Sequence, residues 1–186
     1  MKKIILVLIC VFTFSIFLIR FNCKNVDNNT TINVNYFNKQ NVNGMGLDYN
    51  IKNISKGKYK INLYSKEFKK GKFIKEESLY STILNIKDNK NGFDISIYQE
   101  NEEFKISIGE STYYEVSSDF FKSRYSGIAL FGIESENKVT FNKDFPIQGY
   151  IIGDNVKNID NTNIDDIFNH NSDNEIIIYL NISNIE

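Results

Sequence analysis

The chain has 186 residues, with 22 Lys or Arg against 23 Asp or Glu and a net charge of −1. That balance excludes bulk electrostatic attraction to nucleic acid, and two cysteines in the whole chain exclude a disulfide framework. Asn, Lys, Ile, Tyr and Phe crowd the sequence, Pro146 and Ala129 are the sole examples of their types, and tryptophan is absent. All five favoured residues have AT-rich codons, so clusters of Asn and Asp say little about function. Beyond the first two dozen positions about 160 residues remain, enough for one domain with its own core.

Lys2 and Lys3 precede a predominantly apolar run from Ile4 to Ile19, which meets Arg20. A charged start before an apolar stretch is the pattern of an export signal. As a helix the run would reach about 24 Å, a little short of the roughly 30 Å hydrocarbon core. Phe21 extends it, and Arg20 and Lys24 can snorkel to the surface. The stretch Leu18 to Cys23 lacks the small-residue pair of a signal peptidase site. Neither Cys10 after Ile9 nor Cys23 after Asn22 has the small residue that precedes a lipid-modified cysteine. The expectation is an uncleaved hydrophobic helix within residues 1–24, holding the chain in the cell membrane with its C-terminal domain outside. The alternatives are a cleaved signal, giving a secreted protein, and lipidation of Cys23.

Residues 25–45, rich in Asn, Thr and Val, read as a polar linker with at most one short edge strand. Residues 46–186 read as the extracytoplasmic domain, and its signal is alternation. Leu47, Tyr49 and Ile51 share one face, and Tyr59, Ile61 and Leu63 share another, with Lys58, Lys60 and Asn62 pointing away. The pattern recurs at Tyr80–Ile86, Phe93–Ile97, Phe104–Ile108, Ile128–Ile133, Val139–Phe141, Ile147–Ile152 and Ile176–Ile182. Lys70-Gly71, Asn89 to Gly92, and Glu100 to Glu102 read as hairpin connections. Ser118-Asp119 and Asn163 read as caps of two short helical turns. The predicted fold is all-β: a two-layer antiparallel sandwich of eight or nine strands, with a partly closed barrel as the alternative. Core positions include Ile61, Leu63, Ile95, Ile106, Ile151 and Ile178.

The segments Tyr64–Lys72 and Phe145–Gly153 resemble parts of small exported β-sandwich proteins of AT-rich Gram-positive bacteria, a likeness spanning residues 46–183. The resemblance implies export and a sandwich; it brings no activity and no site residues.

Catalytic and metal signatures are lacking in the residue pattern. His170 is the one histidine, which leaves no ligand set for zinc. Asp154, Asp160, Asp165, Asp166 and Asp173 supply hard oxygens, but without the spacing of a calcium loop. Glu76-Glu77 and Glu102-Glu103 read as solvated surface, and Tyr113, Tyr114, Phe120, Phe121 and Tyr125 as packing in preference to a sugar platform. No catalytic residue, metal or cofactor is assigned, and the chain is read as a non-enzyme. Charge segregation remains. Lysines crowd residues 50–75, and acids crowd 154–186. Either neighbouring strands neutralise one another, or Lys58, Lys60, Lys69, Lys70 and Lys72 form a face for an anionic partner, lipid or wall polymer. The expected function is a membrane-tethered extracytoplasmic binding module. An accessory subunit contacting an envelope protein is the alternative.

Overall fold

A computed structural model describes residues 30–35, 44–87, 92–109, 113–122, 127–133, 135–153, 156, 163–169 and 172–185. Two antiparallel sheets pack face to face. The first contains β1 (Thr31–Asn35), β2 (Met45–Lys52), β5 (Gly92–Glu100), β6 (Glu103–Ile108), β7 (Tyr114–Ser117) and the two-residue β9 (Asn137–Lys138). Their order is β7-β6-β5-β2-β1-β9. The second contains β3 (Gly57–Lys69), β4 (Lys72–Ile86), β8 (Ile128–Gly132), β10 (Asp144–Ile152) and β11 (Asn174–Asn184), in the order β4-β3-β11-β10-β8. The all-β sandwich is as expected, but with eleven strands among the described residues in place of eight or nine. Among the described residues there is no α-helix, and no helix is long and apolar enough to cross a membrane. The expected N-terminal helix lies outside the described residues.

The alternating runs become strands because one face of each sheet is dry. All six expected core residues are buried. Gln148, fully buried, ties the layers together: its Nε2 donates to the Tyr150 hydroxyl at 2.5 Å and to Ile97 O at 3.3 Å. The Tyr49 hydroxyl lies 2.9 Å from Ile147 O and 3.0 Å from Gln148 Oε1. Partnering these polar atoms removes the cost of burying them.

Lys70 and Gly71 both have positive φ (50° and 70°), the pairing a two-residue hairpin with a right-handed twist requires. Asn101 (φ 56°) turns the β5–β6 hairpin, as expected. Asn89 to Gly92 is not a hairpin. Residues 88–91 lie outside the described residues, but the strands on either side belong to different sheets. Both sides of β5 are already taken, by β2 and β6. Val139 and Phe141 likewise lie just beyond a strand: β9 ends at Lys138.

Register defines two ends. At the proximal end, where β1 begins, Thr31 pairs with Lys52 and Lys138, Gly57 with Ile86, and Tyr59 with Asn184. At the distal end are the Lys70-Gly71 turn, the Asn101-Glu102 turn and the start of β2. The outer face of the second sheet is half covered. The 3-10 turn Ile164–Asn169 lies over β10, at a place where a Cβ on Gly149 would meet Ile167 Cδ1 at 2.5 Å. Asn163 Oδ1 caps this turn through Asp165 N at 3.0 Å, and Ser118 caps the turn Asp119–Lys122 through Phe120 N at 3.3 Å. Both caps are as expected. β3, β4 and the proximal part of β11 stay open.

Candidate functional site

Lys58, Lys60, Lys69, Lys70 and Lys72 are all exposed, but they do not form one face. Lys60 and Lys69 are nine residues apart on β3, roughly 30 Å at the rise of a strand. Lys58 and Lys60 belong to the proximal end, and Lys69, Lys70 and Lys72 to the distal turn.

The distal end is rich in acids. Lys66 Nζ lies 3.6 Å from Glu76, and Lys75 Nζ 3.1 Å from Glu67 and 2.9 Å from Glu77. Lys105 pairs with Glu100 at 2.5 Å and Lys122 with Asp119 at 2.5 Å. The Glu77 contact, ahead of the opposing effect of burial, raises Lys75 above the ordinary lysine value. Lys70 reaches Asp173, in the acidic C-terminal third, at 3.8 Å. Neutralisation is therefore mostly within the β3–β4 hairpin. Lys69 and Lys72 make no ion pair among the described residues.

The proximal end is different. Lys52 and Lys138 flank Thr31 across β2-β1-β9, and Lys58 and Lys60 stand on the open face of the other sheet. Lys56, Lys87 and Lys143 are exposed nearby. Against these seven lysines stand three described acids, Asp94, Glu136 and Asp144. Each of the three accepts a hydrogen bond from an asparagine amide: Asn50 at 2.6 Å, Asn33 at 3.3 Å and Asn181 at 2.9 Å. Lys52, Lys58, Lys60, Lys87, Lys138 and Lys143 make no ion pair among the described residues. Ile83 and Ile185, 60% and 40% exposed, lie among them; Ile83 pairs with Lys60 in register, and Ile185 N donates to Lys58 O at 3.0 Å.

Between the two ends the open face holds a depression of about 330 Å³ that residue patterns did not reveal. Tyr64 and Tyr179, paired across β3 and β11, stack with ring centroids 5.4 Å apart, and Lys66 Nζ lies over both rings at 5.3 and 4.8 Å. Asp144 and Glu76 stand on opposite walls. Tyr64 and Asn181 hold the Asp144 carboxyl below the ordinary carboxylate range. Burial first, and Asp144 second, push the Tyr64 hydroxyl up. A lowered Asp144 is the wrong direction for a general acid. Lys66 covers the two rings of this pair, so a sugar stacking on them would have to displace it.

Among the described residues two carboxylates are buried. Asp48 accepts from Ser96 Oγ at 2.5 Å and Tyr98 Oη at 2.9 Å. Glu175, 2% exposed, accepts from Ser172 Oγ at 2.7 Å while its Oε2 has no partner, and burial raises its pKa. Phe120 is buried and Phe121 packs edge-on to Phe104 and Tyr150, the packing role expected of these two; Tyr114 is instead 50% exposed, and Tyr125 lies outside the described residues. His170, Cys23, Asp154 and Asp160 lie outside the described residues. Asp165 and Asp166 sit in a 3-10 turn, and among the described residues no three metal-binding side chains converge. Comparison with protein-family models, with curated proteins and with solved structures finds no match.

Proposed function

We propose that the chain is a membrane-tethered, extracytoplasmic binding module without catalytic activity, and that it engages an anionic component of the cell envelope. The observation that carries this reading is the unequal sorting of charge among the described residues: six exposed lysines that make no ion pair there, against three amide-bonded acids, at the end where the chain comes in. Exposed, unneutralised lysines attract anions over about one Debye length, about 8 Å at physiological salt. The apolar run Ile4–Ile19 supports the tether. Fractionation tests it: the full chain should stay with membranes through salt and alkaline washing, and protease added to wall-stripped intact cells should cut its domain. Recovery of a soluble protein beginning between Arg20 and Val26, or protection until the cells are lysed, would overturn it.

A second reading, an accessory subunit that contacts an envelope protein, is favoured by one feature. Phe73 and Ile74, 57% and 55% exposed, sit beside Lys72 at the distal turn. Apolar side chains held out among charges suit a protein partner. Photocrosslinking from position 73 in cells should then trap one discrete partner band.

A further inference from the structure

We infer that the proximal end rests on the anionic lipid headgroups of the same bilayer that holds the chain, so that the sandwich stands upright with its Lys70-Gly71 turn pointing away. This rests on the tethered reading above and adds its partner and its orientation. Three observations meet at that end. The first is where the chain arrives. Thr31 is the first residue of β1, and the eleven residues from Arg20 to Thr30 span at most about 40 Å even when fully extended. The opposite turn lies a further β3 length away, roughly 40 Å for its thirteen residues.

The second is charge. Lys52 and Lys138 stand directly beside Thr31, one on each side, and Lys58 and Lys60 continue the basic surface onto the second sheet. Juxtamembrane lysines are drawn to an anionic leaflet within a Debye length of its surface. The acid-rich distal end would be repelled by the same leaflet, so both ends favour one orientation. The third is the pair of exposed apolar side chains, Ile83 and Ile185, set among these lysines. A soluble anionic polymer has no use for them. A bilayer interface does, because apolar groups can enter the headgroup boundary while lysines keep their ammonium groups in water.

The test uses the full chain reconstituted into nanodiscs of phosphatidylcholine alone or of phosphatidylcholine with phosphatidylglycerol. A membrane-impermeant acetylating reagent is added, and modification is read lysine by lysine by mass spectrometry. Lys52, Lys58, Lys60 and Lys138 should be acetylated about three-fold or more slowly in the anionic discs. The difference should vanish as salt shortens the Debye length from about 10 Å at 0.1 M to about 3 Å at 1 M. Lys69, Lys70 and Lys72 should react equally in both. A chain retained in the discs but acetylated alike in both lipids overturns the docking while leaving the tether intact. Protection of the distal lysines instead overturns the orientation. Protection that appears only when soluble polyglycerol phosphate is added overturns the lipid as occupant. A chain that fails to enter either disc sinks the tether, and this inference with it.

Discussion

Lys60 and Lys69 occupy the same strand, in the same sheet, and both are exposed, yet their surroundings differ in kind. Around Lys69 the neighbouring lysines find carboxylates on β3 and β4 and at Asp173, so charge there is balanced within the fold. Around Lys60 the few acids are engaged by asparagine amides, and the lysines are left to solvent or to a partner. Surface ion pairs contribute little stability. The difference therefore concerns binding far more than folding. A residue type says nothing about function until its counter-charges are located.

The largest effect should come from undoing the proximal end itself. Ile32 on β1 is fully buried, and β1 joins β2 to β9. Ile32→Ala should cost about 2 to 5 kcal/mol in urea unfolding; a cost below about 1 kcal/mol would mean that β1 is dispensable. Next is the charge surplus. Replacing Lys58, Lys60 and Lys138 by Ala should weaken partitioning onto anionic vesicles about 100-fold, at about 1 kcal/mol per lysine. Their melting temperature should stay close to that of the parent. Equal losses from Lys69, Lys70 and Lys72 would erase the contrast between the ends.

A third measurement concerns the distal end's buried acid. Burial raises the Glu175 carboxyl in the folded state. Its contribution to stability is thus fully present below the unfolded value, about 4.3, and is lost as pH rises through the raised folded value. The stability difference between the parent and Glu175→Gln should shift in favour of the variant as pH climbs toward neutrality. A pH-independent difference would mean that Oε2 finds a partner in solution. The smallest effect is expected at the distal turn: charge reversal at Lys69 and Lys72 should change stability by less than about 1 kcal/mol.

Much of the fold was legible because long strands with one dry face must alternate. Ile61, Leu63, Ile95, Ile106 and Ile178 follow from period two alone, and Lys58 and Lys60 point outward for the same reason. Strands of two to five residues escape that logic: β7 and β9 are too short to show a period, and β1 displays only Ile32 and Val34 among polar neighbours. Turn chemistry was informative at Lys70-Gly71, where the backbone needs positive φ twice. At Asn89 to Gly92 the same residue types serve a crossover between sheets, and local sequence does not distinguish the two. The candidate site was less visible. Lys52, Lys60, Lys138 and Lys143 come from four parts of the chain and meet only through strand pairing. Lys69, Lys70 and Lys72, close to Lys60 in sequence, are carried away from it by the length of β3. The Tyr64–Tyr179 stack and Asp144 depend likewise on the β3–β11–β10 register.

β4 is the outer strand of its sheet, fifteen residues long, and its pairing with β3 skips at Leu63/Tyr64 and again at Glu67/Phe68. The skipped residues, Ile74 and Leu79, break the strand's free edge into short runs that cannot all line up with another strand at once. For molecules held in a plane, as proposed, sideways collisions are far more frequent than among molecules free in three dimensions. A straight, fifteen-residue edge would invite each copy to zip onto the next, and growing sheets would clear the surface of working protein. In molecules tethered in this way the two bulges, with Lys72, Lys75, Glu76 and Glu77 beside them, would let many copies crowd together and stay separate.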